Sequence, residues 1–411
     1  MTVMPPASSD LDPFSPEFRA DPFTPYARLR EYAAPMVWLT QHSIWAVARY
    51  EPVRTVLCDW KRFSNAGGGG MTNYFIEKPW RRPSLILEVD PPEHQRTRRV
   101  LMQVLSADRL QRLRATFEAE ADALIDSALE RGTLDAIPDL VQRFPLTVFP
   151  DAVGMQREDR SRMLTYGAMV FGGFGPTTPW YRELMLQAEE VTAWIMARCQ
   201  REALDPNGIG AAIHAQADAG DIEPGEATLL VRSLLSAGVD TTIDSIGLAL
   251  HALARHPDQW ALLRADPGLA RPAFEEATRF DSSSQSLFRT TLEAIDFQGV
   301  QLEKHQKVLV LLGAAGRDPA KWADADRFDI TRRVTANQIG YGAGIHSCVA
   351  QMLARLEAEV FFATLARKVE RIELTGPAVL RLQPGLRGLN SLPLRLTRRR
   401  CRAASAANGH D

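Results

Sequence analysis

A chain of 411 residues that is 45% hydrophobic and 24% charged can bury a large core, and a formal net charge of -2 argues against a general nucleic-acid binder. Its four cysteines, Cys58, Cys199, Cys348 and Cys401, lack the paired spacing of a zinc site and the density of a disulfide scaffold. No charge-free apolar run is long enough to span a bilayer, and Met1–Glu17 is rich in Pro, Ser and Asp, so the expectation is a cytoplasmic protein without membrane anchor or signal peptide.

In chain order, 1–17 is expected to be a disordered leader, 18–397 a single domain and 398–411 a disordered tail. Asp21–Tyr32 predicts a short helix, and the alternation in Met36–Tyr50 predicts a hairpin. Glu51–Asp59 predicts another helix, and the run Gly67–Gly70 a flexible loop. Asp90 ahead of Pro91-Pro92 is a helix start signal. His94 and Arg98 then lie four apart on one face, which suits an anionic group. A solvated basic face is the plainer reading, and it suits Arg96 and Arg99 better.

Helical patterns dominate from Asp108 to about Asp266. Within them Leu229–Arg255 is long and apolar, as a helix crossing a core should be. Yet Ser233, Ser236, Ala237, Asp240 and Thr241 lay a stripe of mostly polar residues along it, and buried polar groups cost stability unless partnered. Gly238-Val239 weakens the helix at the same place, which marks a candidate site. Glu276 and Arg279 stand three apart on a helix, a pair with little meaning alone. Strand-like patterns return at Gln285–Leu311 and Val369–Leu396.

Between those strands lies Tyr341-Gly342-Ala343-Gly344-Ile345-His346-Ser347-Cys348-Val349-Ala350, preceded by Gly340. The glycines permit close approach to a ligand, and Cys348 opens a helical pattern running to Lys368. A helix N-terminus favours thiolate over thiol, as an axial iron ligand requires. By itself the stretch also allows a nucleophilic Cys beside His346 or an ordinary core cysteine.

This loop resembles the haem-binding loop of the cytochrome P-450 superfamily, which reads Phe, two residues, Gly, one residue, His or Arg, one residue, Cys, one residue, Gly. Gly344, His346 and Cys348 match; Tyr341 replaces the usual aromatic residue and Ala350 the last glycine. The resemblance implies a mainly α fold with small β-sheets, and haem b held between a long central helix and the cysteine-loop helix. It implies Cys348 as iron ligand, with His94, Arg98, Arg289 and His346 also holding the cofactor, the first three at its propionates. Asp240-Thr241 resembles the superfamily's acid–alcohol pair, which relays protons during O–O cleavage. Glu276 and Arg279 resemble its buried structural ion pair, which Arg327 would complete. With no fused flavin or iron–sulfur region, electrons would come from NAD(P)H through a ferredoxin reductase and a ferredoxin, docking near Arg96, Arg99, Arg109 and Arg112.

A narrower resemblance lies in Glu77–Pro92, Phe149–Gly154, Leu230–Gly238 and Leu386–Leu389, which look like the bacterial branch that oxidises para-substituted benzoic acids. It implies carboxylate contacts from Ser84, Ser233 and Ser236, a positive field from Arg81 and Arg232, and apolar walls from Leu87, Phe171, Phe174 and Ala237. At about 1.5 Å per residue, Ser233 and Ser236 lie roughly 7–12 Å along a helix from Thr241, about the length of a benzoate with its para substituent. Ser282-Ser283-Ser284-Gln285-Ser286-Leu287 departs from the branch, which has a proline and apolar or aromatic residues there. Ser284 and Leu287 would make that wall more polar and less aromatic. The rival readings are a haem-binding sensor or carrier, a cysteine hydrolase, and a monooxygenase acting on a larger aromatic acid or a phenol.

Overall fold

The computed structural model describes residues 7–399, and helices dominate it, with small sheets at the periphery. The largest sheet has six strands in the order Ser8–Ser9, Val37–Leu39, Ile44–Val47, Lys307–Leu311, Ser286–Thr291 and Phe63–Ser64. Its centre is made by the predicted hairpin, whose second strand pairs in parallel with Lys307–Leu311. Helices Phe23–Glu31 and Tyr50–Cys58 agree with the expected positions to within two residues. No helix among the described residues is long and apolar enough to cross a membrane.

The leader differs from expectation. Residues 7–17 are ordered: Trp38 and Thr40 donate their N–H groups to the Ala7 and Ser9 carbonyls at 2.8 and 3.0 Å. Ser15 Oγ then accepts from Phe18 N–H to cap helix Pro16–Ala20. Polar composition hid this because backbone groups, not an apolar face, make the attachment. At the other end the last strand, Pro393–Arg398, includes Arg398, which pairs with Asp126 at 2.9 Å. The remainder of both expected disordered segments, residues 1–6 and 400–411, lies outside the described residues.

The predicted central helix is two helices, Pro224–Gly238 and Asp240–Arg255, which meet at Val239. At the junction Thr241 Oγ1 and Thr242 Oγ1 donate to the Ala237 and Gly238 carbonyls at 2.7 and 2.8 Å. Hydroxyls that compete for helix carbonyls loosen the turn where the polar stripe runs. Asp90 does not cap the helix Glu93–Val104, whose first turn has no side-chain cap. Its carboxylate accepts instead from the Ser64 hydroxyl and from Asn65 N–H, and meets His346 Nε2 at 3.3 Å.

Glu276 and Arg279, on helix Ala270–Phe280, have no exposed side-chain area and form two 2.7 Å bonds. Arg279 also donates to the carbonyls of Gly316, Ala325 and Arg327. The third charged member is Arg332, with Nε 3.3 Å from Glu276. The Arg327 guanidinium points to solvent, so only its carbonyl joins the network.

The helix after the cysteine loop begins at Gln351, three residues later than predicted, and runs to Lys368. The loop turns at Gly344, whose φ is +71° and whose missing Cβ would lie 2.9 Å from the Cys58 backbone. Cys348 N–H closes the loop onto the Tyr341 carbonyl at 2.9 Å.

Candidate functional site

The junction of the two central helices faces the cysteine loop across a mainly apolar cavity. Ala237, Gly238, Thr241 and Thr242 line one wall, and Cys348, Val349 and Ala350 the opposite one.

Cys348 is poised but not ionised by the fold alone. Burial pushes its thiol up, while the Ala350 and Gln351 N–H groups and the charges of Arg355 and Arg98 pull it down. Desolvation outweighs the helix end, contrary to the sequence expectation. Cys348 would be held as the thiolate if a metal cation were bound at its sulfur. Behind the loop Arg355 lies 4.5 Å from the Tyr341 ring centre and pairs with buried Glu275, which fixes the aromatic residue beside the sulfur.

Beside the loop lies a set of unspent donors. His94 is fully buried, and neither ring nitrogen has a hydrogen-bond partner among the described residues. Its ring lies 4.1 Å from that of His346, whose Nδ1 is likewise unpartnered there. Burial, then His346 and Arg98, lower His94 to about 4. Arg289 is buried, and its side chain makes one hydrogen bond among the described residues, to its neighbour's Phe288 carbonyl at 2.8 Å. Desolvation lowers it to about 10. Arg98 donates to Ser347 O and Oγ at 2.8 and 3.2 Å, which ties the Glu93–Val104 helix to the cysteine loop. Buried donors without acceptors are costly, and carboxylates would satisfy them. The residues therefore fit a dicarboxylate macrocycle, which His94, Arg98 and Arg289 would hold at its carboxylates and Cys348 at its metal.

The acid and the alcohol of the central helix face different spaces. Thr241 lines the main cavity, whereas Asp240 lines a second one with Gly167, Ile243 and Arg381. Burial, and then the carboxylate of Asp244, raise Asp240 to about 8.

Of the expected substrate residues, Leu87, Phe171, Phe174, Ser233, Ala237, Ser284 and Leu287 line the main cavity. Ser84 is buried just behind, with its Oγ 2.9 Å from Ser233 Oγ. Arg232 is also buried, and its side chain makes one hydrogen bond among the described residues, a long one of 3.4 Å to the Pro83 carbonyl. Arg81 is not free to supply a field, because it makes bonds of 2.9 and 3.1 Å to Glu88. Ser236 does not line the cavity and turns its hydroxyl back to the Ser233 carbonyl at 3.2 Å. Sequence spacing places Ser236 on the right face but cannot see this local bond.

Two cavity hydroxyls were missed. Ser245 Oγ donates to the Thr241 carbonyl at 2.7 Å and meets Ser283 Oγ at 2.8 Å. Ser245 follows Thr241 by one turn, so the stripe could have been extended to it. Ser283 comes from a separate segment and carries no such signal. Glu88, which neutralises Arg81, also escaped notice, although it stands only seven residues away.

A family profile described as Cytochrome P-450 matches residues 269–375. Over 388 residues the sequence is 50% identical to cytochrome P-450 CYP199A2 of Rhodopseudomonas palustris, covering 94% of each chain. The chain belongs to the cytochrome P-450 family. This P-450 is also 32% identical over 402 residues to cytochrome P-450 107B1 of Saccharopolyspora erythraea, covering 94% of this chain and 98% of that one. It superimposes on the structure of CYP109Q5 from Chondromyces apiculatus with a TM-score of 0.82 at 28% identity, covering 96% and 99% of the two chains. Against epothilone D-bound P450epoK the TM-score is 0.84 at 26% identity, with 95% and 99% covered. This P-450 is thus a haem-thiolate monooxygenase, an oxidoreductase that uses O2 and reducing equivalents from partner proteins. The hydrolase and carrier readings fall with that result.

Proposed function

We propose that this P-450 inserts one oxygen atom from O2 into para-substituted aromatic carboxylic acids, by O-demethylation or hydroxylation, with 4-methoxybenzoate as the model substrate. The observation that carries the reading is the buried hydroxyl pair Ser84 and Ser233, backed by Arg232, which has no carboxylate partner among the described residues. Ser233 Oγ donates to the Leu229 carbonyl at 2.8 Å. Turning that hydroxyl from the carbonyl to an incoming carboxylate would give an anion two hydroxyl partners with a buried cation behind them.

In this reading Cys348 would bind the haem iron, His94, Arg98 and Arg289 would hold the haem propionates, and His346 would also contact the cofactor. When bound, the haem iron supplies the reductive activation of O2. Ser84 and Ser233 anchor the acid, and Leu87, Phe171, Phe174 and Ala237 exclude water from the ring. Anchoring one end aims the other at the metal, so catalysis is largely positioning. Thr241 Oγ1 and Asp240 deliver protons; near neutral pH a carboxyl raised to about 8 carries the proton it must give. Arg81 has a supporting part through Glu88, which accepts the Ser84 N–H at 2.7 Å. Ser236 supports the same turn through Ser233.

Electrons come from a ferredoxin and its NAD(P)H-dependent reductase. The exposed Arg99 and Arg112 support docking of an acidic partner, whereas Arg96 is already engaged by Glu226 at 2.6 Å. A second reading keeps the chemistry and changes the ring substituent. It is favoured by Ser283 and Ser284, hydroxyls on the wall that also carries Leu287.

Titration of the ferric Soret band tests the anchor. 4-Methoxybenzoate is expected to bind about 10- to 100-fold tighter than 4-methoxybenzamide, the worth of a charge-assisted hydrogen bond. Ser233→Asp should remove binding of the acid and leave CO binding to the reduced protein intact. Undiminished affinity in that variant would move the carboxylate elsewhere.

A further inference from the structure

Asp240 does not stand alone in its cavity. Asp244 lies one turn further along helix Asp240–Arg255, so the two acids share a face. Both are buried. Arg381, on strand Val379–Leu382, reaches across to donate to Asp244 Oδ2. Each carboxylate sits in a notch that a side chain would close. A Cβ on Gly167 would overlap Asp240 Oδ2, and one on Gly388, in strand Arg387–Ser391, would overlap Asp244 Oδ1. Asp244 Oδ1 and Arg381 Nε have no hydrogen-bond partner among the described residues.

The cavity carries a group of polar side chains within a partly apolar lining. Gln142, Arg381, Gln383 and Asn390 line it together with Asp240, and Asn390 is exposed, so the space reaches the protein surface. The polar groups along it offer partners to water entering from the surface. It is distinct from the main cavity, into which Thr241 faces. The helix junction therefore stands between a polar antechamber on the Asp240 side and the reaction chamber on the Thr241 side.

We propose that Asp244 and Arg381 are a positioning pair that sets the proton affinity of Asp240, and that the second cavity is the route by which protons reach it. The inference rests on Asp240 being a proton donor in the reaction, as proposed above.

The charges have defined signs. After burial, Asp244 is the main influence raising Asp240, and Arg381 opposes it. Asp244 is itself raised to about 7 by burial and held down by Arg381. These are the charged groups that act on the two acids from the central helix and from the packed hairpin. A carboxyl raised in the folded state keeps its proton at low pH and loses it as pH rises through the folded value. Proton delivery should therefore fail on the alkaline side, at a pH set by the balance of Asp244 against Arg381.

The test is the pH profile of coupling, the product formed per NADH consumed, in reconstituted holoenzyme. Asp244→Asn removes a like charge and should move the alkaline limb down by about one pH unit; Arg381→Gln removes an opposite charge and should move it up by about as much. The double variant leaves neither charge unpaired, which guards against misfolding, and should return the limb close to that of the wild type. Infrared pH titration of the protonated-carboxyl band in substrate-free ferric protein should show the same two opposite shifts. If both single variants lower coupling at every pH while the limb and the infrared band stay in place, the pair is merely structural and the proposal fails. Asp240→Asn is run alongside: coupling unchanged in that variant would instead remove Asp240 from proton delivery, which is a separate failure.

Discussion

Cys348→Ser should abolish the strongly red-shifted Soret band of the reduced, CO-treated protein and lower monooxygenase turnover by more than about 1000-fold, some 4 kcal/mol of barrier. The substitution is close to isosteric, and the Cys348 N–H bond to the Tyr341 carbonyl remains. The fold should therefore persist, and far-ultraviolet circular dichroism should be unchanged. What is lost is a soft, polarisable sulfur donor, for which a hydroxyl oxygen is a poor substitute at iron. The donors His94, Arg98 and Arg289 are untouched, so haem uptake should weaken less than catalysis. A far-red band surviving in full in the serine variant would mean that another group ligates the metal.

Glu276→Gln should cost about 3–5 kcal/mol of stability, because it leaves the Arg279 charge buried and uncompensated. That is a large share of the roughly 5–15 kcal/mol that holds a folded domain together. The glutamine keeps the shape, so the loss reports charge and hydrogen bonding rather than a cavity. Arg279 has nowhere else to go: its guanidinium lies 5.7 Å from the Trp322 ring centre, and its remaining donors are committed to backbone carbonyls. Arg327→Ala, by contrast, should stay within about 0.5 kcal/mol, since that side chain is 64% exposed. Urea unfolding followed by tryptophan fluorescence separates the two. Equal effects from both changes would remove Glu276 from the centre of the network.

Some features are readable in one dimension because they are local. Gly344, His346 and Cys348 are close neighbours on one loop, and the four-residue step from His94 to Arg98 is a property of any helix. Ser233, Ala237 and Thr241 recur at helical spacing and do line one cavity. Hairpin Val37–Leu39 with Ile44–Val47 follows from simple alternation. Each of these depends on residues a few positions apart, whose geometry the backbone dictates.

What the sequence determined by itself, once its loop was matched to the family pattern, was the class of chemistry: a cysteine on a glycine loop ahead of a helix, a loosened polar junction in an apolar helix, and the basic groups that an anionic cofactor needs. Tertiary structure decided which polar groups remain available for that chemistry. Arg81 looked free until Glu88 met it, and Arg327 gave way to Arg332 at Glu276. Asp90 turned from capping its helix toward Ser64 and His346, and Asp240 gained Asp244 and Arg381 in a cavity of its own. The physical reason is common to all four. A charge must be compensated once it leaves water, and the compensating group is chosen by proximity in space, which residue spacing along the chain does not encode.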